Sequence, residues 1–338
     1  MNRPSPAALP TLAVTMGDPA GIGPEVVLAA LQRRPRRCRP VLVGDADVFR
    51  AAAAVLDLDL EFVAVDAAPG PRRLPLLATT PLPARFRAFG LPHGRAARAA
   101  CGESSYAAIL GAVDLVRAGV AAGIVTAPIS KEHVTLAGHD IPGHTELLAE
   151  LAGGVPVRMM MAGPKLRVVL VTTHLALADV PQRLDVDGIV ETIAITAAAL
   201  RDRFGRPAPR IAVAGLNPHA GEGGKFGDEE IRIIGPAVRR ARRRGIDAVG
   251  PLAADSTFPE AAAGAWDAVV CMYHDQGLGP FKLLHFADGV NVTLGLPFVR
   301  TSPDHGTAFG IAGRGIAKAS SMAAALDLAA RQAAGRSA

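Results

Sequence analysis

The chain has 338 residues, half of them hydrophobic and 20% charged, which is ample apolar material for one large or about two ordinary domains and excludes a mainly disordered chain. No run of about 18 uncharged apolar residues occurs, so no membrane span is expected. The net charge of +5 gathers partly in Arg33–Arg39 and Arg239–Arg244, but 31 acidic residues nearly balance 36 basic ones and aromatics are only 4%, so no nucleic-acid partner is expected. Three dispersed cysteines, Cys38, Cys101 and Cys271, without a CxxC, fit a reducing compartment. The opening MNRPSPAALPTLAVTMGD lacks a basic head followed by an apolar stretch, and a cytoplasmic protein is expected.

One unit recurs along the chain: a short apolar, β-branched run, then a Gly/Pro/Asn/Asp/His cluster, then an Ala/Leu-rich helical stretch. TLAVTM (11–16) leads through GDPAGIGPE into VVLAALQRR, and PVLVGD (40–45) into ADVFRAAAAVL. The stretch 62–100, rich in Pro and Arg, reads as a surface excursion with room for an antiparallel hairpin. AAGIVTAP (121–128) follows the helical SSYAAILGAVDLVRAG, and LRVVLVTTH (166–174) precedes the helix IVETIAITAAALRDRFG. RIAVAGLNPH (210–219) leads through a Gly-rich loop into the helix DEEIRIIGPAVRRARRRG; DAVVCMYH (267–274) and the single run NVTLGLPFV (291–299) complete the set. Alternation of this kind predicts an α/β fold, mostly parallel sheet flanked by helices, with function at the carboxyl ends of the strands.

Three strand ends carry a histidine: His174, His219 and His274, separated by 45 and 55 residues, about one strand–helix–strand unit each. Three neutral imidazoles on one rim would make a divalent-metal set with open positions for water or substrate, and Asp275 and Asn217 are near enough in sequence to orient the rings. A lone strand-end histidine is ordinarily structural; the equivalence of the three positions is what favours a metal. MGDPAGIGPEV (16–26) has glycines at 17, 21 and 23, which is not G-x-G-x-x-G, and in HAGEGGKFGDEE (219–230) Phe226 follows Lys225 where a Walker A loop needs Ser or Thr. GHTELLAEL places His144 and Thr145 just before a helical run, either as a cap or as an anion-binding helix start. Lys282, Asn291 and Arg300 interrupt apolar runs, where a bound anion would give them a partner. DHGTAFGIAG (304–313) is a Gly-bounded turn suited to close approach by a ligand.

Taken in order, GDPAGIGPE, TAPISK, GHTE, TTHLAL, GLNPHAGEGG, MYHDQGL, NVTLGLPFVRTSPDHGTA and IAGRG resemble the 4-hydroxythreonine-4-phosphate dehydrogenase family of vitamin B6 biosynthesis, from about residue 12 to 328. The resemblance implies a two-domain fold like that of the isocitrate and isopropylmalate dehydrogenases, with the active site in the interdomain cleft. It implies a terminal domain of residues 1–147 plus 295–338 on the cofactor side, and a central domain of 148–294 with the metal site and dimer contacts. It implies His174, His219 and His274 as metal ligands, and His144, Thr145, Lys282, Asn291 and Arg300 as substrate contacts. His305 and Gly306 fall in a loop resembling the adenosine side of isopropylmalate dehydrogenases. A homodimer is implied, with Asp255 completing the partner's active site. The implied reaction is NAD- or NADP-dependent oxidation of 4-phosphohydroxy-L-threonine with one divalent metal, zinc, cobalt or magnesium, followed by decarboxylation. The general base stays open between an ordered water and a carboxylate such as Asp255, and Lys282 is the other candidate catalytic group.

Related enzymes oxidise D-threonate or D-erythronate 4-phosphate, or a terephthalate dihydrodiol. The Lys282/Asn291/Arg300 set favours a phosphate over the dihydrodiol and does not separate an amino acid from a sugar acid. A metal-dependent phosphohydrolase would use the histidines but leave DHGTA unexplained; a nucleic-acid-binding protein would leave the histidines unexplained.

Overall fold

The computed structural model describes residues 9–32, 37–67, 70 and 72–335. The N-terminal eight residues and residues 33–36 of the first arginine cluster therefore lie outside the described residues. The strands are β1 (Thr11–Thr15), β2 (Arg39–Gly44), β3 (Glu61–Val63), β4 (Arg73–Ala78), β5 (Gly123–Thr126), β6 (Arg158–Ala162), β7 (Arg167–Leu170), β8 (Ile211–Ala214), β9 (Ala248–Leu252), β10 (Ala268–Cys271), β11 (Val290–Leu294) and β12 (Val299–Pro303). The helices are α1 (Gly23–Leu31), α2 (Ala46–Val55), α3 (Arg95–Arg117), α4 (Lys131–Leu136), α5 (His144–Leu151), α6 (Val180–Arg183), α7 (Val186–Phe204), α8 (Gly235–Arg243), α9 (Ala254–Ala262), α10 (His274–His285) and α11 (Ser320–Ala334). Among the described residues no helix is long and apolar enough to cross a membrane.

Packing divides the chain into two compact units, Met1–Gly154 with Leu296–Ala338, and Val155–Gly295. In the first, the strand order is β3-β4-β2-β1-β5-β12 and every pairing is parallel. Its inner strands β1, β2, β5 and β12 are buried on both faces, with Leu12, Val14, Leu42 and Ile124 inaccessible, as apolar parallel strands under flanking helices must be, while the edge strand β3 is not buried. In the second, the order is β11-β6-β7-β10-β8-β9; β11/β6 and β6/β7 are antiparallel and the rest parallel. Its core joins Val168, Leu170, Ala212, Val269 and Cys271 of the strands to Phe258, Leu278 and Phe281 of the helices.

Local chemistry fixes where the helices start. Asp45 caps α2 by accepting from the Asp47 N–H at 2.7 Å, and Asp185 caps α7 by accepting from the Gly188 N–H at 2.7 Å. Gly205 ends α7 in the left-handed conformation at φ 63.

Two expectations are corrected. The stretch 62–100 holds no antiparallel hairpin at its strands: β3 and β4 pair in parallel, Glu61 opposite Arg73. β4 is drawn into the sheet because its other edge pairs with β2, Leu42 opposite Leu76, and its Leu74 is buried. The run NVTLGLPFV is two strands and not one. Gly295, at φ 92, breaks it; a Cβ there would stand 2.1 Å from the Pro156 carbonyl oxygen. β11 belongs to one unit and β12 to the other. Gly295→Ala should therefore lower the unfolding free energy by about 2–3 kcal/mol, since both the dihedral and the close approach exclude a side chain. The denaturant midpoint checks it, and an unchanged midpoint would mean that the bend is not built on this glycine.

Candidate active site

The three histidines leave neighbouring strand ends. β7, β10 and β8 lie side by side and parallel. His174 follows the end of β7 by four residues, His219 that of β8 by five and His274 that of β10 by three. All three thus come off the carboxyl rim of one sheet, where parallel α/β sheets carry their chemistry.

His174 and His274 face each other, ring centroids 5.7 Å apart. His274 opens α10, and its Nδ1 is 2.7 Å from Asp275 Oδ1, which leaves Nε2 to point elsewhere. His219 is not gathered with them: its ring packs against Phe226 at 6.3 Å. Among the described residues no three His, Cys, Asp or Glu side chains form a group that could hold a metal as placed. The donors themselves suit a divalent transition metal: three imidazoles from adjacent strand ends, two already paired, one oriented by a carboxylate.

The turn that carries His219 is unusual. His219, Ala220, Gly221, Glu222 and Gly223 all have left-handed backbone, His219 at φ 53 and ψ 32. Each non-glycine residue there costs roughly 1–2 kcal/mol. Asn217, expected to orient a ring, instead gives its amide to Glu229 Oε2 at 2.7 Å and Glu230 Oε2 at 3.0 Å. Its amide is taken by carboxylates because the Glu229–Glu230 pair starts the helical segment packed against this loop. Asp255 is exposed at the start of α9, its Oδ1 accepting from the Ser256 N–H. Lys282, on α10, has its Nζ 6.0 Å from the Phe286 ring centroid. Asn291, on β11, has a buried Oδ1 without a hydrogen-bond partner.

The other unit holds a cluster of basic side chains. Arg300, on β12, is 2% exposed and donates from Nη2 to Thr126 Oγ1, at the end of β5, at 2.8 Å. Burial pushes its pKa down to about 10, against the opposing pull of Glu146, so it is still charged at neutral pH. His144 and Thr145 open α5, whose cap, Gly143, supplies no side-chain bond. His144 Nε2 is buried without a partner. Burial first, then the charges of Arg300 and Lys131, hold the His144 imidazole well below its ordinary pKa. A buried arginine, a lysine, a neutral imidazole and an uncapped helix start, with Glu146 beside them, are groups that suit a bound anion. Lys131 is the member that sequence reasoning missed, although it ends the quoted TAPISK motif. His305 has Nδ1 3.1 Å from the Gly306 carbonyl oxygen and a buried, unpartnered Nε2; a Cβ at Gly306 would meet nothing within 4 Å.

The His144 environment fixes a pH dependence. Its folded pKa lies below the unfolded value of 6.5, so under acid the unfolded chain binds a proton that the folded site refuses. The contribution is absent above about pH 7 and destabilises progressively as pH falls through 6.5. Replacing His144 by Gln should reduce the drop in Tm between about pH 7.5 and pH 5.5. An equal drop in both proteins would show that His144 is protonated in the fold.

Three histidines leave one parallel rim, two of them with their rings paired, and a buried arginine lies in the other unit, an arrangement that suits an α/β enzyme acting on a small molecule. The family model described as "Pyridoxal phosphate biosynthetic protein PdxA" matches residues 36–329, and the chain belongs to that family. It is 52% identical, over 97% of each chain, to 4-hydroxythreonine-4-phosphate dehydrogenase of Geobacter metallireducens. The crystal structure of the 4-hydroxythreonine-4-phosphate dehydrogenase from Klebsiella pneumoniae matches with TM-score 0.86 and 43% identity, covering 97% of this chain and 99% of that one. A terephthalate 1,2-cis-dihydrodiol dehydrogenase from Burkholderia xenovorans is more distant, with TM-score 0.67 and 31% identity over 95% of this chain and 98% of that one.

Proposed function

We propose that the chain oxidises 4-phosphohydroxy-L-threonine with NAD or NADP and a divalent metal, in pyridoxal phosphate biosynthesis. The observation that supports an anionic substrate group, read here as the phosphate, is the cluster of Arg300, Lys131 and His144 at the uncapped start of α5. The relatives' names supply the rest of the substrate.

In this reading Arg300, His144 and Thr145 hold the phosphate, with Lys282 and Asn291 supplying further polar contacts to the substrate. Arg300 does so as a fixed fork already oriented by Thr126, so little side-chain freedom is lost on binding. His174, His219 and His274 would hold the metal, zinc, cobalt or magnesium, which when bound supplies Lewis acidity at the substrate's secondary hydroxyl. The nicotinamide, when bound, supplies the hydride acceptor, and the loop of His305 and Gly306 is its proposed seat. The oxidised product, 2-amino-3-oxo-4-(phosphonooxy)butanoate, is a β-keto acid and loses carbon dioxide to give 3-amino-1-hydroxyacetone 1-phosphate. Asp255, exposed at the start of α9, is assigned to the partner's active site in a homodimer, where its carboxylate or an ordered water takes the hydroxyl proton. The terminal unit is the cofactor side and the central unit the metal side. The three buried cysteines fit a cytoplasmic setting.

The test is NADH formation by metal-restored enzyme with 4-phosphohydroxy-L-threonine beside D-threonate and D-erythronate 4-phosphates. A strong preference for the amino acid supports the reading. Preference for a sugar acid moves the enzyme to sugar-acid catabolism, and phosphate release without NADH overturns the dehydrogenase reading.

A further inference from the structure

Glu230 is a carboxylate that the reaction does not use, and it is 4% exposed. It opens a single π-helical turn, Glu230–Ile234, that runs directly into α8. Its Oε1 accepts from the Leu216 and Asn217 backbone N–H groups, both at 2.7 Å, and its Oε2 accepts from Asn217 Nδ2 at 3.0 Å. The loop is cut to fit this carboxylate. A Cβ at Gly215 would stand 3.0 Å from Oε1, and one at Gly221 2.7 Å from Oε2. Gly221 lies inside the left-handed run that begins at His219, and Ala220 N–H closes the turn onto the Asn217 carbonyl at 3.1 Å. A run of left-handed residues persists only where its surroundings over-determine it, and the bonds to Glu230 sit immediately before it.

We propose that Glu230 is a positioning residue that clamps residues 215–221 and so holds His219 on its left-handed turn as a metal ligand. The inference rests on the metal reading of His219. A carboxylate suits the task because both of its oxygens accept and all three of its partners donate. Glutamine in its place keeps one accepting oxygen and turns its NH2 group toward the Asn217 NH2, donor against donor.

The test uses the full-length protein and cobalt(II) alone, with affinity read by calorimetry and ligand geometry by the visible spectrum of the bound ion. Glu230→Ala should weaken cobalt binding about 10- to 100-fold, the range for groups that orient a ligand, and move the spectrum toward that of His219→Asn. Glu230→Gln should weaken it less and in the same direction, and it carries the test if the alanine variant does not fold. Wild-type affinity and spectrum in both Glu230 variants, with affinity lost in His219→Asn, would overturn this inference and leave the metal reading standing. Wild-type affinity in His219→Asn would overturn the metal reading and this inference with it.

Discussion

His219→Asn should lower metal-dependent NADH formation by about three orders of magnitude while the protein stays folded. Loss of Lewis-acid stabilisation is worth several kcal/mol of transition-state energy, and each 1.36 kcal/mol is about tenfold in rate. Asparagine is the informative replacement. His219 sits at φ 53, a region asparagine enters more readily than other side chains, so the turn is kept while the imidazole is lost. The measurement is turnover with added divalent metal, beside a thermal melt. Full activity in a folded variant would remove His219 from the chemistry.

Arg300→Met should reduce kcat/KM for the phosphorylated substrate by about 10²- to 10³-fold, since removing one partner of a buried charged pair costs about 2–5 kcal/mol. Lysine should not rescue it, because a single ammonium cannot reproduce the fork that binds Thr126 and a phosphate oxygen together. The unphosphorylated substrate provides the control: its already slow oxidation should change little. Equal losses on both substrates would show that Arg300 supports the fold of β12 and does not read the phosphate.

Much of the site was legible because parallel α/β folds place function at strand ends in a regular rhythm. His174, His219 and His274 could be found from strand ends spaced 45 and 55 residues apart, and the structure puts them after β7, β8 and β10, which are neighbours in the sheet. His144 and Arg300 could be marked because a charge inside apolar sequence and a histidine before a helix both ask for a partner. What stayed hidden depends on contacts distant in sequence. NVTLGLPFV is one apolar run, and only the approach of the Pro156 carbonyl to Gly295 makes it two strands. Asn217 looked like an orienting group for a neighbouring ring because the sequence does not show that Glu229 and Glu230 fold back onto it. The left-handed run through Ala220 and Glu222 carries no local signal beyond its glycines, since neither alanine nor glutamate favours that backbone.

In the proposed site three imidazoles from adjacent strands share one metal ion. Anomalous diffraction from crystals grown with cobalt(II) tests this most directly. One strong peak per chain is expected within bonding distance of ring nitrogens of His174, His219 and His274. A peak bonded to other side chains, with these three rings left unliganded, would contradict it.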